Sequence, residues 1–297
     1  MNNQFKSGFV ALVGRPNVGK SSLLNTFIGQ KINIVSEKPQ TTRNQLRGIL
    51  TEPNYQIIWI DTPGLHRPLH ELGGRMQESA IKALESVDLV LWILDASMGF
   101  TAADAKVAEI LAQIKEPLFA VWNKADLARP DLVIPETTTL APRKIKQVSA
   151  LTNQGMAELL EAVVEEMPVG SPFYPDDQIT DQPERFIVAE LIREQVLQNT
   201  SEEVPHSVAV VVDQMKERPN GKMFVNAVIY VERDSQKGII IGAGGERLKK
   251  IGQDARATIE YLLDFPVYLD LWVKVRKNWR NKEADLKEFG YSKKEHN

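Results

Sequence analysis

The chain of 297 residues contains no cysteine. Disulfide bridges and cysteine-ligated zinc are thereby excluded, and the composition suits a reducing cytosol. Long apolar runs are missing as well. The most apolar stretch, Leu89-Val90-Leu91-Trp92-Ile93-Leu94, is far short of the ~20 residues that a membrane-spanning helix needs. The opening segment Met1-Asn2-Asn3-Gln4-Phe5-Lys6-Ser7-Gly8 lacks the apolar core of a signal peptide. The expectation is a soluble, cytoplasmic chain, or one that is at most peripheral to a membrane. Charge of one sign is scarce in the sum, since 36 Lys and Arg against 39 Asp and Glu leave −3. That total does not announce a polyanionic partner, yet a basic patch on one domain can be masked in it. Neither an internal repeat nor a low-complexity tract is present. The length, with 43% hydrophobic and 25% charged residues, suits two soluble domains, each with its own core.

What is present is first of all Gly14-Arg15-Pro16-Asn17-Val18-Gly19-Lys20-Ser21, which fits G-x-x-x-x-G-K-[ST], the phosphate-binding P-loop. Gly14 and Gly19 let the backbone wrap a phosphate with no Cβ in the way. Arg15, Pro16, Asn17 and Val18 fill the loop. Successive N–H groups and the N-terminus of the following helix, read as Ser22–Ile28, favour an anion. Lys20 is expected to reach the β- and γ-phosphates, and the Ser21 hydroxyl to ligate Mg²⁺. The context is right: an apolar strand, Phe9–Val13, enters the loop, and a helix up to Ile28, closed by Gly29, leaves it.

The loop after that helix carries Pro39-Gln40-Thr41-Thr42-Arg43. Leu46–Leu50 and Ile57–Ile60 alternate around Glu52-Pro53-Asn54 and predict an antiparallel hairpin. Its second strand runs into Asp61-Thr62-Pro63-Gly64, followed by Leu65. A carboxylate there is placed to hold Mg²⁺, and the Gly64 N–H to meet a γ-phosphate. Thr42 is positioned to add a second hydroxyl to the metal when that phosphate is present. Asp88–Asp95 and Leu118–Trp122 read as further buried strands, with Thr101 as the N-cap of a helix between them. The second of these strands ends in Asn123-Lys124-Ala125-Asp126. An Asp126 carboxylate can accept from N1–H and the N2 amine of guanine, which adenine does not present. Asn123 adds an amide hydrogen bond, and Lys124 an aliphatic stem beside the base. A last strand, Ile145–Val148, leads into Ser149-Ala150-Leu151, where a backbone N–H is expected to meet the guanine carbonyl oxygen. Strands alternating with helices, with sites at the strands' carboxyl ends, predict a doubly wound α/β domain over residues 1–170.

Residues 171–183 are rich in proline and acid and read as a linker. Beyond it the pattern predicts a helix (Glu184–Gln198), two strands (Val208–Met215 and Met223–Val231) and a glycine loop at Gly242-Ala243-Gly244-Gly245. A helix from about Glu246 and a strand, Val267–Val275, follow. Gly242–Gly245 fits the GXXG loop of a KH domain, which clamps about four nucleotides of single-stranded RNA. Glycines permit close approach of a sugar-phosphate chain, and the next helix turns its N-terminus to the phosphates. Ile239, Ile240 and Ile241 are candidates for an apolar floor under the bases, and Arg247, Lys249 and Lys250 for phosphate contacts. The second domain is expected over residues 184–280, with a basic tail at 281–297. Lys274, Arg276, Lys277, Arg280 and Lys282, interleaved with Trp272 and Trp279, read equally as an RNA-facing patch or as a solvated charged segment.

The ordered set Gly14–Ser21, Thr42, Asp61–Gly64, Asn123–Asp126 and Ser149–Leu151 resembles the five signature motifs of translation-factor-class small GTPases. A GTPase domain joined to a C-terminal KH domain resembles, over the whole chain, the Era family of bacterial ribosome-assembly GTPases. Gln40-Thr41-Thr42-Arg43, Asp61-Thr62-Pro63-Gly64-Leu65-His66 and Tyr174-Pro175-Asp176-Asp177-Gln178-Ile179-Thr180-Asp181 carry the resemblance beyond the generic motifs. It implies a monomeric GTPase that uses GTP, GDP and Mg²⁺. It also implies binding near the 3′ end of small-subunit ribosomal RNA, a role in maturing the small ribosomal subunit, and peripheral association with the inner face of the cell membrane. Lys20, Thr42, Asp61, Gly64 and Asn17 would be the catalytic set. In related GTPases an asparagine at the Asn17 position helps to hold K⁺ against the phosphates; the alternative is that Asn17 merely hydrogen-bonds its loop. One departure stands out: Ala243 occupies a position where the family often carries lysine. Two rival readings are an RNA-binding factor whose nucleotide domain is structural, and a membrane-trafficking GTPase. Intact Lys20, Ser21, Asp61 and Asp126 speak against the first. The KH pattern and the lack of a lipidation motif speak against the second.

Overall fold

The computed structural model describes residues 4–291 except 37, 39–40, 66–69, 136–137, 139 and 202–203. Gln40 and His66, two of the resemblance residues, lie outside the described set, as do residues 292–297 of the tail. The chain divides into two compact units that part between Asp181 and Gln182, with Ile34–Thr41 and Leu69–Arg75 grouped with the second.

The first unit is a six-stranded sheet in the order β2-β3-β1-β4-β5-β6. Its strands are β1 (Lys6–Val13), β2 (Leu46–Glu52), β3 (Tyr55–Asp61), β4 (Leu89–Asp95), β5 (Leu118–Asn123) and β6 (Lys144–Gln147). All neighbours are parallel except β2 and β3, the hairpin that the alternation predicts. Every residue of β4 is buried, as expected of a parallel strand covered on both faces. Helices α1 (Lys20–Ile28), α3 (Ala102–Leu111) and α4 (Met156–Glu166), with the part of α2 (Glu71–Lys82) from Met76 on, complete the α/β pattern. Phe27 of α1 stacks on Trp59 of β3, with ring centroids 4.0 Å apart. Another cluster joins Trp92, Leu94 and Trp122 to Val107 and Leu111 of α3. The expected cap is present, since the Thr101 side chain accepts from the Asp104 N–H and Asp104 closes the capping box. That α/β core fixes where the strands end, and the loops at those ends carry the motifs.

Residues 171–181 do not run free of this unit. The Gln56 side chain donates to the Tyr174 carbonyl and accepts from the N–H groups of Phe173 and Tyr174. The Ile49 N–H donates to the Ile179 carbonyl, and Thr180 bridges to Gly48 of β2. The segment thus acts as a short strap on the outer edge of β2. Its main-chain groups find partners that the sequence's proline content does not reveal.

The second unit holds α5 (Glu184–Asn199), α6 (Val204–Ser207), β7 (Ala209–Glu217), β8 (Met223–Val231), α7 (Asp234–Ile241), α8 (Glu246–Leu263), β9 (Val267–Val275) and α9 (Glu283–Glu288). The sheet runs β7-β8-β9, antiparallel then parallel. Val225, Ala227 and Ile229 of β8 are wholly buried, as are Ile240, Ile251, Ala255 and Ile259 of the helices. The tail contributes to this core. Trp279 is fully buried, its Nε1–H donates to the Ser207 carbonyl at 2.8 Å, and it packs against Phe289 and Tyr291. Arg276 pairs with Asp285 and Glu288, and Arg280 with Glu232. Arg276 is thus committed to α9 and Arg280 to Glu232 at the end of β8, and the buried Trp279 has no face to offer RNA. Trp279→Ala is expected to destabilise the second unit by ~3–5 kcal/mol, the range for truncating a buried aromatic. Guanidinium unfolding followed by circular dichroism should show this unit's transition moving down while that of the first unit stays.

Candidate nucleotide and nucleic-acid sites

β1 and β3 are parallel neighbours, so the loops leaving their carboxyl ends meet. Lys20 and Asp61 are both buried there. Lys20 Nζ donates to the carbonyls of Gly14 (3.1 Å) and Arg15 (2.9 Å), folding the loop around its own lysine. Burial lowers the Lys20 ammonium to about 8, against the pull of Asp61. Burial also pushes the Asp61 carboxyl up to about 6, in spite of the Lys20 charge and hydrogen bonds from Ser21, Thr42 and Asn33. Ser21 Oγ donates to Asp61 Oδ2 at 2.6 Å and lies 2.9 Å from Thr42 Oγ1. Three expected metal ligands therefore stand together. Asn33 joins them, with Nδ2 donating to Asp61 Oδ2 at 2.5 Å. Asp61 Oδ1 is buried with no hydrogen-bond partner among the described residues. An orphaned carboxylate oxygen beside two hydroxyls is the hard-oxygen donor set that suits Mg²⁺.

Close approach explains the glycines. A Cβ at Gly64 would lie 2.8 Å from the Pro16 nitrogen, so the D-x-x-G turn sits directly against the P-loop. The Leu65 N–H donates to the Gly14 carbonyl. Gly19 has φ +95°, and its Cβ would strike the Asn123 amide at 2.2 Å. Thr62 is turned inward, its hydroxyl donating to the Leu12 carbonyl, and Pro63 is buried. Leu65 is 6% exposed and belongs to the core cluster around Trp92.

The N-K-x-D loop is tied to its surroundings by side chains. Asn123 Nδ2 donates to the Val18 carbonyl, and Asn123 Oδ1 accepts from the Ala150 N–H. Asp126 Oδ1 accepts from Ser149 Oγ at 2.6 Å. Ala150 thus gives its N–H to Asn123, while Leu151 stands 85% exposed beside it. Lys124 adopts a left-handed backbone, φ 63°, and its Nζ donates to Asp95 Oδ2 at 2.6 Å. Burial raises the Asp95 carboxyl, but bonds from Lys124 and Ser97 outweigh it and hold the group below its ordinary range. Arg15 lies 3.6 Å from Asp95 and 3.3 Å from the fully buried Asp104. Asn33, Asp95 and Asp104 were not among the sequence candidates. Asp95, at a strand's carboxyl end, carried a readable signal; Asn33 carried none.

In the second unit Gly242, Gly244 and Gly245 all have positive φ. A Cβ at Gly242 would meet Arg247 at 2.8 Å, whereas one at Gly244 meets nothing within 4 Å. Beyond the loop, α8 and β9 enclose a groove of about 410 Å³, lined by Gly245, Lys249, Gly252, Arg256, Tyr268 and Leu271 among others. Ile240 is wholly buried in the core and Ile239 is 39% exposed, while Ile241 is half-buried and Ala243 exposed. Lys250 pairs with Asp254 one turn on, and Arg247 donates to the Ile239 carbonyl. The sequence candidates covered the loop but missed the groove's far wall on β9 and the small residue Gly252, seven positions after Gly245 on the same face of α8.

A family model described as 50S ribosome-binding GTPase matches residues 9–124, and one described as KH domain matches residues 203–280. GTPase Era of Carboxydothermus hydrogenoformans is 50% identical across 97% of this chain and 98% of its own length. The chain belongs to the Era GTPase family. Two solved Era structures superpose with a TM-score of 0.90 at 38% identity, each spanning 97% of this chain and all of its own. One is a variant of Aquifex aeolicus Era bound to GDP and aluminium fluoride; the other is Era in complex with MgGDPNP and nucleotides 1506–1542 of 16S ribosomal RNA.

The two shifted groups give a signed expectation. Asp61 would hold Mg²⁺ only when ionised, and Lys20 would meet phosphate only when protonated. With folded values of about 6 and about 8, Mg²⁺–nucleotide binding should release about half a proton at pH 6 and take up about half a proton at pH 8. Calorimetry in buffers of different ionisation heat reads this sign reversal. A constant sign across the range would show that the pair does not titrate on binding.

Proposed function

We propose that this chain is a Mg²⁺-dependent switch that binds and hydrolyses GTP, binds the 3′-end region of small-subunit ribosomal RNA through its KH domain, and acts in assembly of the small ribosomal subunit. The observation that carries the reading is a guanine-nucleotide site and an open GXXG groove in one chain. Membership of the Era family supports the RNA target. It is also the support for a cytoplasmic location with peripheral contact to the inner membrane face. Among the described residues no helix is long and apolar enough to cross a membrane.

In this reading the P-loop amides and Lys20 hold the β- and γ-phosphates. Ser21, Thr42 and Asp61 hold Mg²⁺, which supplies positive charge to the phosphate oxygens. Gly64 directs its N–H toward the γ-phosphate. Asp126, fixed by Ser149, reads the N1–H and N2 amine of guanine. Asn123 locks the base loop to the P-loop, and Lys124, anchored by Asp95, lays its stem along the base. Leu65 stands where a glutamine orients the attacking water in other GTPases, and its side chain has no donor or acceptor to do so. Hydrolysis is therefore slow without help from a bound ion, RNA or ribosome.

Asp126→Asn tests the nucleotide half. GTP affinity should fall about a hundredfold or more, because the guanine donors lose their carboxylate, while relative affinity for the xanthine nucleotide rises. Unchanged GTP preference in competition binding would reject the assignment. Gly244→Asp tests the RNA half, because a Cβ there meets nothing within 4 Å and aspartate is among the few residues that visit positive φ. The added charge opposes phosphate, so single-stranded RNA binding should drop at least tenfold while GTP binding persists. Asn17, exposed and left-handed at φ 66°, lies within the P-loop at the position where related GTPases use an asparagine toward K⁺. GTP turnover should be severalfold faster in KCl than in NaCl at equal ionic strength, and Asn17→Ala should erase the difference. Equal rates in the two salts would leave RNA or the subunit as the activator.

A further inference from the structure

Five tryptophans occur in the chain. Trp59, Trp92 and Trp279 are fully buried and Trp122 is 1% exposed, yet Trp272 is 57% exposed. A large ring left in solvent is informative where a scattered leucine is not. Trp272 also has company. Alternate residues of a strand share a face, and Tyr268, 53% exposed, stands four positions earlier on β9, about 13 Å away. Leu271 points the other way, toward Gly252 of α8. Tyr268, Asp270 and Trp272 therefore lie on the sheet face turned away from that helix.

The strand register assembles the rest of this face. Phe224 pairs with Tyr268, and Lys216 pairs with Phe224. The Phe224 and Tyr268 rings stack at 6.0 Å, and the Arg218 guanidinium lies 3.9 Å from the first centroid and 5.1 Å from the second. Between the two exposed rings, Asp270 accepts from Asn226 Nδ2 at 2.9 Å and from Trp272 Nε1 at 3.1 Å. The carboxylate is held in place and steadies the indole. At the far end of the face, Phe289 of the tail stacks on Tyr230 at 4.6 Å. The tail covers that end and leaves the Tyr268–Trp272 end open.

We propose that this open half of the sheet is a second RNA platform, on which single-stranded RNA leaving the KH groove stacks its bases against Tyr268 and Trp272. The inference rests on the RNA-binding reading of the groove. Three observations select RNA as the occupant. Tyr268 lines the groove together with Lys249 and Arg256, so it belongs to both surfaces at once. β9 is an edge strand, paired only with β8, so a chain can pass round it without displacing another strand. Lys216, Arg218 and Lys274 flank the rings, supplying the cation-and-aromatic combination that tracks a single strand. Asp270 adds a fixed acceptor for a base amino group.

The buried state of the other four tryptophans gives the test a direct readout. In the full-length protein, acrylamide-accessible emission reports on Trp272. Titration with an RNA of about twelve nucleotides from the 3′ end of small-subunit ribosomal RNA should quench that emission and shield it from acrylamide. Trp272→Ala should weaken binding of this RNA about tenfold, the effect of removing one stacking partner. Its melting temperature should be unchanged, since the ring is exposed. An RNA of about four nucleotides, enough for the groove alone, should bind wild type and Trp272→Ala equally. Gly244→Asp should weaken both RNAs. Unchanged affinity of Trp272→Ala for the longer RNA, or wild-type emission still open to acrylamide once that RNA is bound, overturns the platform and leaves the face to a protein partner. Loss of the Gly244→Asp effect instead strikes the groove reading itself.

Discussion

The first unit is built around two opposite charges that the fold withdraws from water. Removing an ammonium and a carboxylate from solvent costs several kcal/mol per ion unless other groups replace the hydration shell. Lys20 receives two P-loop carbonyls, and Asp61 receives Ser21 and Asn33. The P-loop curls because its carbonyls must reach that lysine, and the segment carrying Asn33 comes in because the carboxylate draws it. Both charges still sit away from their ordinary pKa values, in the direction that disfavours ionisation. A metal–phosphate ligand supplies what each lacks, an anion for one and a cation for the other. The site's affinity is thus prepared by the same burial that strains it.

Side chains rather than main-chain pairing then tie the phosphate end to the base end. Asn123 reaches the Val18 carbonyl on one side and the Ala150 N–H on the other. Asp95 holds Lys124 and lies near Arg15 of the P-loop, which in turn pairs with the buried Asp104. The carboxylate that caps α3 therefore also steadies the phosphate loop, and a helix start on the sheet's flank has a share in nucleotide geometry. Networks of this kind couple their members more strongly than pairwise deletion suggests.

Much of this was legible in the sequence because it depends on local spacing. The P-loop, the Asp61–Gly64 turn, the Asn123–Asp126 loop and Gly242–Gly245 are each a few residues long, and their chemistry follows from their order. The strand pattern was legible for the same reason, with β4 a continuous apolar run and β2–β3 an alternating pair. What was hidden depends on partners far apart in the chain. Asn33 meets Asp61, Lys124 meets Asp95, and Arg15 meets Asp104 only after the sheet has formed. The segment 171–181 has a linker's composition, yet Gln56 and the edge of β2 bind it, and no local signal encodes an edge that is still unpaired. Trp279 shows the limit in the other direction: a ring set among basic residues resembles a nucleic-acid contact until its indole is found bonded to Ser207.

Leu65 carries a consequence for the history of the chain. Its side chain is packed among the residues around Trp92, directly after the turn that faces the phosphates. Changing it to glutamine would place an amide in an apolar pocket, at a cost of about 1–3 kcal/mol if it found no partner. Swinging the amide outward would leave a hole in the core instead. Packing, and not only chemistry at the phosphates, thus weighs against a single-step change to glutamine here. A lineage built on this core would keep its timing in the hands of whatever binds it.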